Sequence, residues 1–277
     1  MSVIKYCSDL HVDINTKYYD ISNVELMQKL NLYDVDILII AGDIAEYPKN
    51  LHFADYLSSH YPKLRIIEIG SNHLYYSCIN LNMTMKEIDK ACKKHNEINP
   101  NYYYLERDTV VLDNIKFIGC AMWTTMAEHQ VGRRMKIMSC LNDFQYILAE
   151  KNRRFNVKDA VDLHNKSKRF ITKEVNNTLD NQECIVITHH APFYEYHSEV
   201  SHAFGIDMSK TIKRFKKCPT LWVSGHTHIN DKDRYIQNKG FKYVMVASNQ
   251  FGYKGEAEHG SQFDAWKTFD SNKRLEI

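Results

Sequence analysis

Val3-Ile4-Lys5-Tyr6-Cys7-Ser8-Asp9-Leu10-His11 is the stretch from which the rest of the chain can be read. Val3, Ile4, Tyr6 and Cys7 form a short apolar run that predicts a first strand, and an Asp-x-His pair stands at its carboxyl end. In an open α/β sheet that end is where ligands gather. Residues two apart in extended chain project to the same side, so a carboxylate and an imidazole at this spacing can share one metal ion. Alone, such a pair fits a surface turn equally well. Its meaning depends on what ends the later strands.

Ile37-Leu38-Ile39-Ile40-Ala41 reads as a doubly buried parallel strand and ends in Gly42-Asp43. Leu64, Ile66, Ile67 and Ile69 predict a third strand ending in Gly70-Ser71-Asn72-His73. Cys184 to Ile187 runs into Thr188-His189-His190-Ala191-Pro192, and Thr220 to Val223 into Ser224-Gly225-His226-Thr227-His228. Five strand-like runs thus end in potential ligands, expected at one sheet edge: Asp9 and His11, Asp43, Asn72 and His73, His189, and His226 and His228. Mixed carboxylate, carboxamide and imidazole donors suit borderline divalent ions such as Mn, Fe, Zn or Ni. Two such ions ~3.5–4 Å apart can share a carboxylate, activate a water and steady the oxygens of an in-line phosphoryl displacement. A nearby histidine outside the ligand set can then protonate the leaving oxygen.

Between these strands the periodicity predicts helices over 24–31, 50–60, about 82–97 and about 157–179. Residues 12–23, polar and tyrosine-rich, read as a loop. Short strands are expected at 102–105, 109–112 and 115–119, with Asp113-Asn114 as a tight hairpin turn, and further ones at 233–237, 242–247 and 264–269. Residues 121–156 have little periodicity and read as a lid or binding insertion. Strands alternating with helices, followed by a run of short strands, predict a layered α/β fold with mixed sheets. One domain over 1–277 is the economical expectation.

The 277 residues are 44% apolar and 25% charged, which argues against wholesale disorder, and a net charge of +2 argues against a dedicated nucleic-acid coat. Seven scattered cysteines without a Cys-x-x-Cys pair, together with the lack of a signal-peptide pattern, predict reduced thiols and a cytoplasmic protein. No stretch approaches the ~20 apolar residues of a membrane span.

In their order from Asp9 to His228, these blocks resemble the calcineurin-like metallophosphoesterase superfamily: Asp-x-His, Gly-Asp, Gly-Asn-His-Asp/Glu, a lone His, and Gly-His-x-His. The stretches around His189 and His226 and the run Asn249-x-x-Gly252-Tyr253 are similar to small stand-alone phosphoesterases of bacteria and phage. The resemblance implies an α/β, four-layer αββα sandwich, with two mixed β-sheets flanked by helices and a dimetal site at the strand carboxyl ends. It implies that Asp9, His11 and His228 bind one metal ion, Asn72, His189 and His226 the second, and that Asp43 bridges both. His73 would contact the substrate phosphate and act as general acid after attack by a hydroxide bridging the ions.

Two positions depart from the pattern: Ser71 replaces a glycine, and Leu74 replaces the usual Asp or Glu. A serine there would be strained if the turn needed positive φ. Related phosphatases orient the catalytic histidine with an Asp three residues after the bridging Asp, an offset that holds Glu46 here. The expected activity is hydrolysis of a phosphodiester, or a phosphomonoester, of nucleotide size, with two divalent ions and Mn²⁺ foremost. The protein-phosphatase block Gly-Asp-x-x-Asp-Arg-Gly is absent. Arg133, Arg134, His197 and His202 are candidate substrate contacts, and Tyr194, Tyr196 and Phe204 could stack a base. Two alternatives remain open: a nuclease using the basic clusters at 151–154, 166–169 and 213–217, or a catalytically weak metal-binding protein disabled by Leu74.

Overall fold

The computed structural model describes residues 1–277 apart from 128, 195–198, 260, 262 and 263. Its strands are β1 (Val3–Cys7), β2 (Ile37–Ile40), β3 (Arg65–Ile69), β4 (Tyr102–Leu105), β5 (Asp108–Leu112) and β6 (Ile115–Cys120). They continue with β7 (Leu148–Glu150), β8 (Arg153–Arg154), β9 (Glu183–Thr188), β10 (Leu221–Ser224), β11 (Arg234–Gln237), β12 (Tyr243–Ser248) and β13 (Arg274–Glu276). One sheet has the order β13-β1-β2-β3-β4 and the other β11-β12-β10-β9-β6-β5. In the first, β1 to β4 are parallel and β13 closes the edge antiparallel. In the second, β6, β9, β10 and β12 are parallel between antiparallel β5 and β11.

Strand periodicity explains the layering. On β2, Ile37 and Ile39 face the other sheet, in a core that also holds Ile4, Ile67, Phe117, Ile185 and Val223. Leu38 and Ile40 face the opposite way, into helices. Those helices are α1 (Val12–Tyr18), α2 (Asn23–Leu30), α3 (Lys49–His60), α4 (Cys78–Leu81) and α5 (Met85–Lys94). Further along come α6 (Val131–Cys140), α7 (Asp143–Tyr146) and α8 (Val157–Asn176), then the short α9 (Ser201–Phe204), α10 (Ser209–Ile212) and α11 (Ala265–Thr268). Ile171 and Val175 of α8 and Ile212 of α10 cover Val186 and Trp222 on the outer face of the second sheet. Both faces of the inner strands are therefore buried, which is why they read as unbroken apolar runs. The result is the expected four-layer αββα sandwich with two mixed sheets.

Several elements depart from the sequence reading. Residues 12–18 are helical rather than loop; the helix buries only Val12 and Asn15, so it leaves almost no apolar stripe. The expected strand at 264–269 is α11, whose N-terminus is capped by Asp264 accepting from the Lys267 N–H. The segment was expected to close the second sheet, whose edges are instead β11 and β5, while β13 closes the first. Asp113 and Asn114 form the hairpin turn between β5 and β6 with φ of 50° and 62°, as a primed two-residue turn requires. Segment 121–156 contains α6, α7 and the β7–β8 pair. All seven cysteines are unpaired, and no helix among the described residues is long and apolar enough to cross a membrane.

A buried carboxylate in the first layer gives this fold a pH signature. Glu68 on β3 accepts from Tyr102 Oη at 2.6 Å and from Asn50 Nδ2 at 3.1 Å, and burial pushes it up to about 7. Its proton is held more tightly in the folded than in the unfolded chain, where the value is about 4.5. The folded state therefore binds the extra proton between these two values, and its stability falls as pH rises through them. At 1.36 kcal/mol per unit the loss approaches about 3 kcal/mol by pH 8. Glu68→Gln, neutral throughout, should gain that much over the native chain between pH 4.5 and pH 8 in urea melts. An unchanged difference at the two pH values would contradict it.

Candidate metal centre

The five loops that carry the proposed ligands leave β1, β2 and β3 of one sheet and β9 and β10 of the other. The donors thus converge across the two sheets rather than along one edge. A backbone bridge between Ser8 and Gln250 ties the sheets together at this end. The chain turns sharply there: Asp9, His11, Asp43, His226 and His228 all have positive φ, between 41° and 71°. Non-glycine residues rarely adopt this region, though Asp and His tolerate it better than most. Five such residues store roughly 1–3 kcal/mol each, and here all five carry side chains of the cluster.

Two glycines make room for the turns. Gly42 has φ of +89°, and a Cβ on it would lie 2.6 Å from His189 Nδ1. A Cβ on Gly225 would lie 2.5 Å from Asp9 Oδ2. Ser71 is not in the left-handed region, so the strain envisaged for it does not arise. Its hydroxyl instead accepts from the Asp43 N–H at 2.9 Å and holds that loop.

The side chains meet in two groups. Asp9, His11 and His228 present donor atoms to one another, as do Asp43, His189 and His226. His11 Nε2 and His228 Nε2 lie 3.0 Å apart, and His228 Nε2 lies 3.5 Å from Asp9 Oδ1. In the second group, His189 Nε2 is 2.9 Å from Asn72 Oδ1, 3.1 Å from His226 Nδ1 and 3.4 Å from Asp43 Oδ2. The same Asp43 oxygen lies 3.9 Å from His11 Nε2, between the two groups. Asp9, His11, Asp43 and His189 are at most 1% exposed.

Imidazole nitrogens and carboxylate oxygens so close and so dry need a shared cation or a shared proton. One proton cannot serve all these pairs, because His189 Nε2 alone faces the Asn72 oxygen, an Asp43 oxygen and His226 Nδ1. Two divalent ions fit the donor set: nitrogen and oxygen donors, mixed charge, and Asp43 placed to serve both. Without a cation, charge is balanced by protons. Burial opposes protonation of His189, yet Asp43 and Asp9 push it up to about 9. His228 reaches about 10, since its bonds to Asp9 and Glu256 outweigh burial. His11 and His226 are held well below the usual value by burial and by neighbouring histidines.

The surrounding residues fix these rings. His189 Nδ1 lies 2.9 Å from the Ala41 carbonyl, so that nitrogen carries the proton and Nε2 faces the site. Glu256, in a 3-10 turn, meets His228 Nδ1. The His226 N–H donates to the Asp9 carboxylate at 3.0 Å. Glu256 was not anticipated from sequence, nor were Tyr76 and Asp143, which bind Asn72.

His73 lies beside the two groups, its N–H donating to Asp43 Oδ1 at 3.2 Å. Its ring packs between His11 and Tyr76, with centroids 4.5 and 4.4 Å away, and its Nε2 is 3.4 Å from the Tyr253 hydroxyl. The role expected of Glu46 is not carried by contact: among the described residues no hydrogen bond joins it to His73. The imidazole is touched instead by the His11 and Tyr76 rings and by the Tyr253 hydroxyl. Leu74 is fully buried within the apolar core on the helix side of the first sheet.

A pocket of about 600 Å³ opens over the cluster, lined by Asn72, His73, Tyr76, Phe204, His228 and Tyr253 among others. Arg133, Arg134 and His202 are not among its lining residues. Arg133 Nη1 and His202 Nε2 lie 2.8 Å apart outside it, and Tyr194 packs edge-on against His202. Cys140, Leu141, Asn142 and Phe204 line the opening instead. His197 and Tyr196 lie outside the described residues. Of the basic clusters, Arg153 is tied to Asp159 and Glu150, Lys151 to Glu87 and Lys217 to Asp180.

Among proteins similar to this one is an uncharacterized protein of Acanthamoeba polyphaga mimivirus, 27% identical over 92% of this chain and 93% of that one. In fold the chain is similar to the phosphopantetheinyl hydrolase PptH of Mycobacterium tuberculosis, with a TM-score of 0.67, 16% identity and coverage of 95% and 94%. The family model for calcineurin-like phosphoesterases matches residues 3–230, a span that contains every strand-end loop of the cluster. The chain belongs to the calcineurin-like phosphoesterase family.

Proposed function

We propose that this protein hydrolyses phosphodiesters of nucleotide size with two divalent metal ions, Mn²⁺ serving best. The observation that carries this reading is the pair of buried donor groups sharing Asp43 at the floor of the pocket. Asp9, His11 and His228 would hold one ion and Asn72, His189 and His226 the other, with Asp43 between them. When bound, such ions polarise phosphoryl oxygens and lower the pKa of water to near neutrality.

The chain's own residues supply the rest. His73, held between His11 and Tyr76, can donate a proton from its imidazole to the leaving oxygen. The described lining residues include no Lys or Arg, so beyond the metal ions and His73 no cationic side chain of the described wall would pair with the second charge of a monoester dianion. A diester, with one charge, fits better. Tyr76, Phe204 and Tyr253 offer aromatic faces to a base or another flat substituent. The buried placement of Leu74 supports a competent site over a disabled one, since the replaced carboxylate would not stand in the pocket.

Metal-depleted protein resupplied with Mn²⁺ should cleave bis(p-nitrophenyl) phosphate faster than p-nitrophenyl phosphate, measured as kcat/KM. Turnover of the monoester alone would sink the diester reading.

A further inference from the structure

Asn72 is the one neutral, rotatable amide among the donors, and its oxygen and nitrogen could exchange places by a flip of the side chain. The structure closes off that freedom. Asn72 Nδ2 donates to the Tyr76 hydroxyl at 2.9 Å and to Asp143 Oδ1 at 3.2 Å. Tyr76 in turn donates to the same Asp143 oxygen at 2.7 Å. Asp143 is 1% exposed and comes from α7, 71 residues further along the chain. With both amide hydrogens committed to this triangle, Asn72 Oδ1 has one direction left, toward His189 Nε2 at 2.9 Å. A flip would set the amide oxygen against a carboxylate and an N–H against the donor group.

The other half of the centre has the same construction. Glu256 stands behind His228 as Asp143 stands behind Asn72. Asp9, Asp43, Glu256 and Asp143 together place four carboxylates around a site for two dications. The second group would otherwise offer only the shared charge of Asp43 to its ion. Carboxylates in this outer position typically change metal affinity about 10–100-fold.

We propose that Asp143 is a positioning residue: through Asn72 it orients the ligand oxygen and supplies charge for one of the two metal ions, as Glu256 does for the other. This rests on the two-metal reading above. It makes segment 121–156 part of the centre's scaffold through α7, not only a cover over it.

The experiment is calorimetric titration of metal-depleted protein with Mn²⁺, with the spin-coupled Mn pair followed by electron paramagnetic resonance. Asp143→Ala should weaken one ion about 10–100-fold and leave the other unchanged. The coupled signal should be lost at Mn²⁺ levels that saturate the native chain. Asp143→Asn, which keeps an acceptor oxygen but not the charge, should lose less and guards against a misfolded alanine variant, with thermal melts alongside. Glu256→Gln should weaken the opposite ion. Native-like affinity for both ions in both position-143 variants, or equal weakening of both ions, overturns the proposal. A native chain that binds fewer than two ions removes the two-metal reading, and this one with it.

Discussion

Asp43→Asn is expected to lower turnover by more than ~100-fold and to remove both metal ions together, a larger loss than any other single ligand should cause. One carboxylate oxygen faces His189 Nε2 at 3.4 Å and His11 Nε2 at 3.9 Å, while the other accepts the His73 N–H. The carboxylate is 1% exposed, and the charges of His189 and His73 hold it well below the usual carboxylate range despite burial. An amide in its place brings no charge, and its NH₂ must face either a cation or an N–H. Calorimetry with Mn²⁺ distinguishes this shared role from an ordinary one. His226→Gln, by contrast, should cost one ion. Two tightly bound ions in Asp43→Asn would show that some other group joins the halves.

His73→Ala should keep both ions and lose catalysis, by about 10²–10⁴-fold in kcat for a substrate with an alkoxide leaving group. The same variant should lose far less on a p-nitrophenyl ester, whose leaving group departs without a proton. That contrast is specific to a proton donor. His73 also lies within reach of His11 and Asp43 as a third possible donor group. If His73→Ala sheds an ion, or slows both substrates equally, the residue is a ligand or a prop and not the acid.

The cluster was legible in the sequence because its donor residues interrupt apolar runs that have no other reason to stop. Ile37 to Ala41 and Cys184 to Ile187 are buried on both faces, so the Gly-Asp and Thr-His that follow stand out against them. What sequence spacing cannot show is the distance closed by folding. Asp143 reaches Asn72 across 71 positions, and Glu256 reaches His228 across 28; neither lies at a strand end or in a periodic pattern. Helix α1 leaves no periodic signal for a related reason: it has only two buried residues, one of them Asn15, whose amide donates to the carbonyls of Leu10 and Gly252. Arg133 and His202 stand out in the sequence by their charge near the histidine blocks, but charge does not say which side chains line a pocket. The two find each other outside the pocket.

The most direct measurement of the central claim is phosphodiester hydrolysis by metal-depleted protein, before and after titration with Mn²⁺, with bound metal counted in the same samples. Activity that is absent at first and rises to a plateau at two ions per chain is the predicted result. Full activity in the depleted protein, or two bound ions with no hydrolysis of any phosphoester, would contradict it.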